Sequence, residues 1–214
     1  MTEQELRKIV KDAGVRLLKE NLVQGTWGNI SVRIDENKML VTPSGMDYIR
    51  MTEDDLVVVD INTLEYQSSV KPTSEKKIHA AIYRQRPDIG AVIHSHPSYC
   101  CSVASARRDM PVADEEVKEL VGGDKVRMGA YGLSSTKTLT KATIAALGTD
   151  MNACFMANHG MMACGKDMED AFAVCRAMEA GSKKFIEAEC AKRLGKDEFE
   201  EGDLERLFRQ KYAK

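Results

Sequence analysis

The chain has no apolar run of 18 residues, so no segment reads as a membrane-spanning helix. Its six cysteines, Cys100, Cys101, Cys154, Cys164, Cys175 and Cys190, form no C-x-x-C pair and sit in apolar surroundings, as reduced packing thiols do. Charge of one sign is also missing. The 31 Lys and Arg against 33 Asp and Glu leave a formal -2, too weak a field to recruit nucleic acid or an anionic membrane. No Pro-, Gly- or Ser-rich linker, internal repeat or low-complexity tract divides the 214 residues, so a single domain over 1–214 is expected. Neither a Walker loop nor a dinucleotide fingerprint is present, and no nucleotide is expected. The start, MTEQELRKIVKD, is charged and amphipathic, not a basic segment leading into an apolar one, so a cytoplasmic location is the expectation.

What is present is an ordinary globular composition, 43% apolar and 30% charged, with helix and strand patterns intermixed. Thr2 and Glu5 form a capping box ahead of Leu6, Ile9, Val10, Ala13, Leu17 and Leu18, predicting an amphipathic helix to about Glu20. Ile30, Val32 and Ile34 alternate with Ser31 and Arg33 as in a half-buried strand, and a second strand returns over 39–42. Residues 56–61 read as a strand buried on both faces. Thr73 or Ser74 is positioned to cap a helix carrying Ile78, Ala81 and Ile82, with Glu75 in its first turn and His79 four residues on. Further helices are expected over 98–106, 138–147, from the Asp167 cap to about Ala191, and over 198–214; strands are expected over 91–96, 153–157 and 161–164. Residues 107–136 give no clear pattern.

The chemistry concentrates in AVIHSHP, residues 91–97. Side chains alternate along a strand, so His94 and His96 point the same way with backbones about 6.6 Å apart, close enough for both imidazoles to grip one ion. Two of the chain's four histidines are thus paired, and His159 stands in a tight Asn158-His159-Gly160 turn. Three neutral nitrogen donors with an open fourth position is the design of a catalytic metal site, although spacing alone does not bring His159 or Glu75 to the pair. His79 reads as a structural histidine. The polar loops at 25–29 and 43–45 are rich in residues that let backbone N–H groups approach an anion.

GTWGNISVR, LVTPSGMDY, KPTSEKKIH, AVIHSHPSYC and ANHGMMACG, in that order and at those spacings, resemble the class II, metal-dependent sugar-phosphate aldolase and adducin-head family across nearly the whole chain. The resemblance implies an α/β/α three-layer fold around a largely antiparallel sheet, assembled as a C4 homotetramer. It implies that His94, His96 and His159 hold a divalent metal, most often Zn2+, with Mn2+, Co2+ or Fe2+ as alternatives. Gly28, Asn29, Ser44, Gly45, Thr73 and Ser74 match positions that bind the substrate phosphate. Glu75 matches the general base, which also ligates the metal before substrate arrives, and a raised pKa would suit that work.

The activity so implied is that of a lyase similar to L-fuculose 1-phosphate aldolase: reversible cleavage of a ketose 1-phosphate to dihydroxyacetone phosphate and an aldehyde through a metal-stabilised enediolate. A sugar-phosphate 4-epimerase, a dehydratase or a decarboxylase on the same metal site, and a non-catalytic adducin-like binding protein, are the alternatives. Trp27 resembles the epimerase branch, whereas Glu75 resembles the aldolases. The chain also departs from the pattern: Glu115 stands where the aldolases place a tyrosine that protonates the aldehyde oxygen, leaving Tyr131 and Tyr212 as candidate donors.

Overall fold

The computed structural model describes residues 1–212 and is built on an eight-stranded sheet in the order β3-β2-β1-β4-β8-β7-β6-β5. In chain order the elements are α1 (Glu3–Lys19), β1 (Asn29–Arg33), β2 (Lys38–Val41), a 3-10 turn (Glu53–Asp55), β3 (Val57–Asp60), α2 (Lys76–Gln85) and β4 (Ala91–Ser95). They continue with α3 (Ser98–Ala106), β5 (Met110–Pro111), α4 (Glu115–Val121), β6 (Lys125–Gly129), α5 (Lys137–Leu147), β7 (Ala153–Met156), β8 (Gly160–Gly165), α6 (Met168–Arg193) and α7 (Asp203–Tyr212). Every strand pairing is antiparallel except β6 with β7. Helices α2 and α5 pack together on one face, and α6, with α3 and α4 against it, covers β4 and β8 on the other. The expected α/β/α layering around a largely antiparallel sheet is what the chain adopts.

Local chemistry explains most element boundaries. Thr2 Oγ1 accepts from the Glu5 N–H while Glu5 accepts from the Thr2 N–H, and Leu6, Val10, Ala13 and Leu17 of α1 are buried. Asp114, Thr136 and Asp167 each accept a first-turn N–H at the start of α4, α5 and α6. The central strands are buried on both faces: all five residues of β4 and all six of β8 are shielded. Among the described residues no helix is long and apolar enough to cross a membrane.

Four expectations need correcting. Strand β3 alternates between buried and half-buried residues, because it lies at the sheet edge with β2 as its one partner. The stretch 107–136 contains α4 and two strands, β5 and β6; β5 has only two residues and β6 breaks its apolar pattern with Lys125 and Arg127, so neither shows a clear signal. The last helix begins at Asp203, well after residue 198, and the end of the expected span lies outside the described residues. Glu75 occupies the cap position itself (φ -95°, ψ 9°) and makes no side-chain capping bond, so its carboxylate is free to turn elsewhere.

Helix α2 carries Glu75 at its start, and its end is clamped by Arg33 of β1. The guanidinium donates to the carbonyls of Ile89 (2.9 Å), Tyr83 (2.8 Å) and Arg86 (3.0 Å) and lies 4.7 Å over the Tyr83 ring. The Arg86 carbonyl also accepts from the Ile89 N–H (3.2 Å), while the Tyr83 carbonyl lies four residues before Pro87, which has no N–H to give. Arg33→Met should therefore destabilise the fold by about 3 kcal/mol, read by urea denaturation, because it removes charge-assisted bonds and leaves buried acceptors unpaired.

Candidate metal centre

The centre lies where β1, β4 and β8 run side by side. Asn29 pairs with His94, and His94 with Met162. Directly opposed residues share a sheet face, so Asn29 and His94 look toward α2. His96 sits one residue beyond the end of β4, whose last residue, Ser95, points to the other face. His159 arrives on the β7–β8 hairpin. Its N–H donates to the Met156 carbonyl (2.9 Å), and the left-handed Asn158 before it (φ 57°) accepts from Arg107 Nε at 2.6 Å.

Close approach of these strands depends on two glycines. A Cβ on Gly160 would meet the Ser95 carbonyl at 2.6 Å and the His96 ring at 2.7 Å; one on Gly28 (φ +140°) would meet the His94 carbonyl at 2.9 Å.

The three imidazoles form one cluster. Ring centroids are 4.5 Å apart for His94 and His96, 4.8 Å for His94 and His159, and 5.2 Å for His96 and His159. One ligand atom from each lies within 4.8 Å of the others. The Nε2 atoms of His94 and His159 are 3.3 Å apart, against about 3.4 Å for two nitrogens held tetrahedrally at about 2.1 Å from one ion. His94 Nδ1 donates to the Met161 carbonyl (2.8 Å), which leaves its Nε2 lone pair facing the cluster. Burial pushes His94 down to about 4 and also lowers His96, so both are neutral donors near pH 7. This donor set fits a divalent cation.

Glu75 faces the cluster from the start of α2. Its Oε2 is 3.1 Å from His94 Nε2 and accepts from Asn29 Nδ2 (3.1 Å); its Oε1 is 3.6 Å from His159 Nε2 and accepts from Ser134 Oγ (3.2 Å). The expected raised pKa is not found. Burial pushes this carboxyl up, but His94, His159 and the Asn29 amide outweigh it and hold it below the ordinary value.

The six residues matched to phosphate binding fall at three places: Gly28 and Asn29 where a loop enters β1, the loop with Ser44 and Gly45, and the loop with Thr73 and Ser74. Ser44 N–H donates to the Lys71 carbonyl (2.9 Å) and Thr73 N–H to the Thr42 carbonyl (3.0 Å), laying the second loop against the third. Those two N–H groups are thereby used, while Ser44, Gly45 and Ser74 remain exposed. Gly28 is half-buried beside Asn29, whose side chain turns to Glu75. Tyr131 is exposed, with the Arg107 guanidinium 5.5 Å over its ring; Tyr212 is exposed on α7 beside Phe208; Glu115 opens α4. Cys100 and Cys101 lie on helix α3, within the span expected to be helical, and Cys101 Sγ approaches the His159 carbonyl (3.8 Å), not its ring. Ser134 carries no sequence signal: one serine in a turn-like run becomes visible when the turn ahead of α5 brings it to Glu75.

Two outcomes follow for the metal-free protein. His94 and His79, burial-depressed to about 4 and about 3 from an ordinary 6.5, bind protons later than the unfolded chain does as pH falls. Stability should thus rise with pH across this window. Melting in chelator should show Tm falling from about pH 7 to about pH 5, above the usual carboxylate range; a flat profile contradicts neutral buried imidazoles. Gly160→Ala should weaken metal binding at least about tenfold in a titration with Zn2+, by displacing His96.

Comparison with known proteins now gives the lineage. The family described as Class II Aldolase and Adducin N-terminal domain matches residues 9–184. The chain is 33% identical over 180 residues to the 5-methylthioribulose-1-phosphate/5-deoxyribulose-1-phosphate aldolase of Rhodospirillum rubrum, covering 84% of this chain and 80% of that one. It is 30% identical over 186 residues to the L-fuculose phosphate aldolase of Escherichia coli, covering 87% and 85%. An L-ribulose-5-phosphate 4-epimerase of Salmonella paratyphi C is 30% identical over 191 residues, covering 84% and 83%. Among solved structures, an L-fuculose 1-phosphate aldolase superposes with a TM-score of 0.81 at 30% identity over 98% of this chain and 97% of that one. The sheet, the histidine cluster and these likenesses together show that the chain belongs to the class II aldolase and adducin family.

Proposed function

We propose that this protein is a metal-dependent aldolase that reversibly cleaves a ketose 1-phosphate to dihydroxyacetone phosphate and an aldehyde. The observation that carries the reading is the Glu75 carboxylate, 3.1 and 3.6 Å from two imidazoles of a three-histidine cluster. The substrate class rests on relatives whose names specify 5-methylthioribulose 1-phosphate, 5-deoxyribulose 1-phosphate and L-fuculose phosphate. His94, His96 and His159 would hold the divalent metal, Zn2+ by preference, with Glu75 a further ligand before substrate binds. When bound, the ion supplies the positive charge that makes an enediolate attainable.

The chain's own residues do the rest. The loops at Gly28–Asn29, Ser44–Gly45 and Thr73–Ser74 would hold the phosphate and so orient the carbon chain, converting binding into reactivity. Glu75, ionised in the site, takes the carbon-bound proton on the path that forms dihydroxyacetone phosphate enediolate and returns it in the reverse direction. Ser134 tethers the segment 130–136 to Glu75, so Tyr131, three residues before it, is the favoured proton donor to the aldehyde oxygen, ahead of Tyr212. Exposed Trp27, Ile49 and Leu133 suit burial between copies of the chain, in keeping with a C4 homotetramer.

The 4-epimerase reading uses the same residues and is favoured by the Salmonella relative. Dihydroxyacetone phosphate in heavy water separates the two. Metal-loaded wild-type protein should introduce solvent deuterium into it, and Glu75→Gln should slow that exchange about 10^3-fold while retaining metal. No exchange by the metal-loaded protein would overturn the aldolase reading.

A further inference from the structure

A chain of buried polar groups runs inward from Glu75, away from the histidine cluster. Asn29 Nδ2 donates to Glu75 Oε2 (3.1 Å); Asn29 Oδ1 is 2.5 Å from His79 Nε2; His79 Nδ1 is 2.6 Å from Ser31 Oγ; Ser31 Oγ is 2.8 Å from Tyr83 Oη. Its members alternate between β1 (Asn29, Ser31) and the α2 side (Glu75, His79, Tyr83). The two spacings match: two strand residues advance about 6.6 Å and four helix residues about 6.0 Å. Asn29, Ser31, Glu75, His79 and Tyr83 are all buried, so each bond is one that water does not replace.

The direction of every bond is forced from the Glu75 end. An ionised carboxylate only accepts, so Asn29 must turn its NH2 to Oε2 and its Oδ1 to His79. Oδ1 only accepts, so His79 Nε2 must carry the hydrogen. Burial, resisted by Glu75, holds His79 neutral, pushed down to about 3, so its Nδ1 is bare. Ser31 therefore donates to Nδ1, and Tyr83 donates to Ser31. Oε2 is held by the buried Asn29 amide, whereas Oε1 accepts from the hydroxyl of exposed Ser134, which can rotate away, so Oε1 is the oxygen freer to take a proton.

We propose that His79 is a positioning residue: its Nε2–H locks the Asn29 amide in the one orientation that holds Glu75 Oε2 and directs proton transfer to Oε1. Without that donor Asn29 Oδ1 is left unpaired in a buried site, and the amide is held by the carboxylate alone. The inference rests on the reading of Glu75 as the base, and His79 touches neither the substrate nor the ion.

The test uses two variants that each copy half of an imidazole. His79→Gln places an amide N–H near the Nε2 position and keeps the bond to Asn29; His79→Asn reaches only the Nδ1 position and keeps the bond to Ser31. On metal-loaded protein, deuterium exchange into dihydroxyacetone phosphate should fall about 10- to 100-fold in kcat for His79→Asn with KM little changed, and His79→Gln should recover most of it. Circular dichroism melts establish that each variant folds. Independently of activity, 15N-histidine spectra of the wild-type protein near pH 7 should show His79 as the neutral Nε2–H tautomer.

Equal kcat in folded His79→Asn and wild type, or a folded His79→Gln no better than His79→Asn, overturns the proposal. So does an Nδ1–H tautomer at His79, which decides the matter even where neither variant folds. A wild-type protein that shows the Nε2–H tautomer but no exchange instead overturns the assignment of Glu75, leaving the hydrogen-bond chain intact.

Discussion

His94 is held at both ends of its ring, and the rest of the site is arranged around that. Its Nδ1 hydrogen is committed to the Met161 carbonyl on β8, and its Nε2 faces Glu75 and His159. The bond to Met161 exists because β4 pairs with β8 in one register; a slip by one residue would turn His94 to the α6 face. That register is fixed on its other side by β1, which pairs Asn29 with His94. One strand alignment therefore sets the tautomer and aim of a metal ligand and the reach of the amide that holds Glu75.

The layers contribute unequally. Helix α2 is polar along the stripe that faces β1 and would be a poor core helix by composition, yet its buried polar groups are satisfied in sequence. Such networks stabilise only when complete, and Arg33 completes this one from the helix end by engaging the last carbonyls. The opposite layer, α6 with α3 against it, packs on the other face of β4 and β8, while His94 is kept neutral by its burial on the α2 side. A neutral imidazole and an ionised carboxylate in contact are poised for a cation, since the ion can bind without first displacing a proton from His94.

Much of this was legible in the sequence. The period-two His94/His96 pair, the Asn158-His159-Gly160 turn and the capping residues of α1 and α6 each carry their own local signal, and the structure places them as their patterns imply. Even the Glu75–His79 spacing foretold a shared helix face. What could not be read was which strand that face would meet: Asn29 and Ser31 look like an ordinary polar alternation until β1 is laid beside α2. The strands β5 and β6 were hidden because they carry no apolar run of their own and are packed by distant elements, α6 against β5 and α5 and β7 against β6. The lowering of Glu75's pKa was illegible for the same reason, being set chiefly by His94, His159 and Asn29, 19 or more residues away in sequence.

The central claim is that three histidines from two separate segments share one ion. The most direct measurement is metal content per chain after dialysis, by elemental analysis, for the wild type and for His94→Ala and His159→Ala. The account predicts one divalent ion per wild-type chain and a loss of at least about tenfold in affinity for either variant, with the fold retained. A folded wild-type protein that takes up no divalent metal, or variants that bind it as the wild type does, would contradict it.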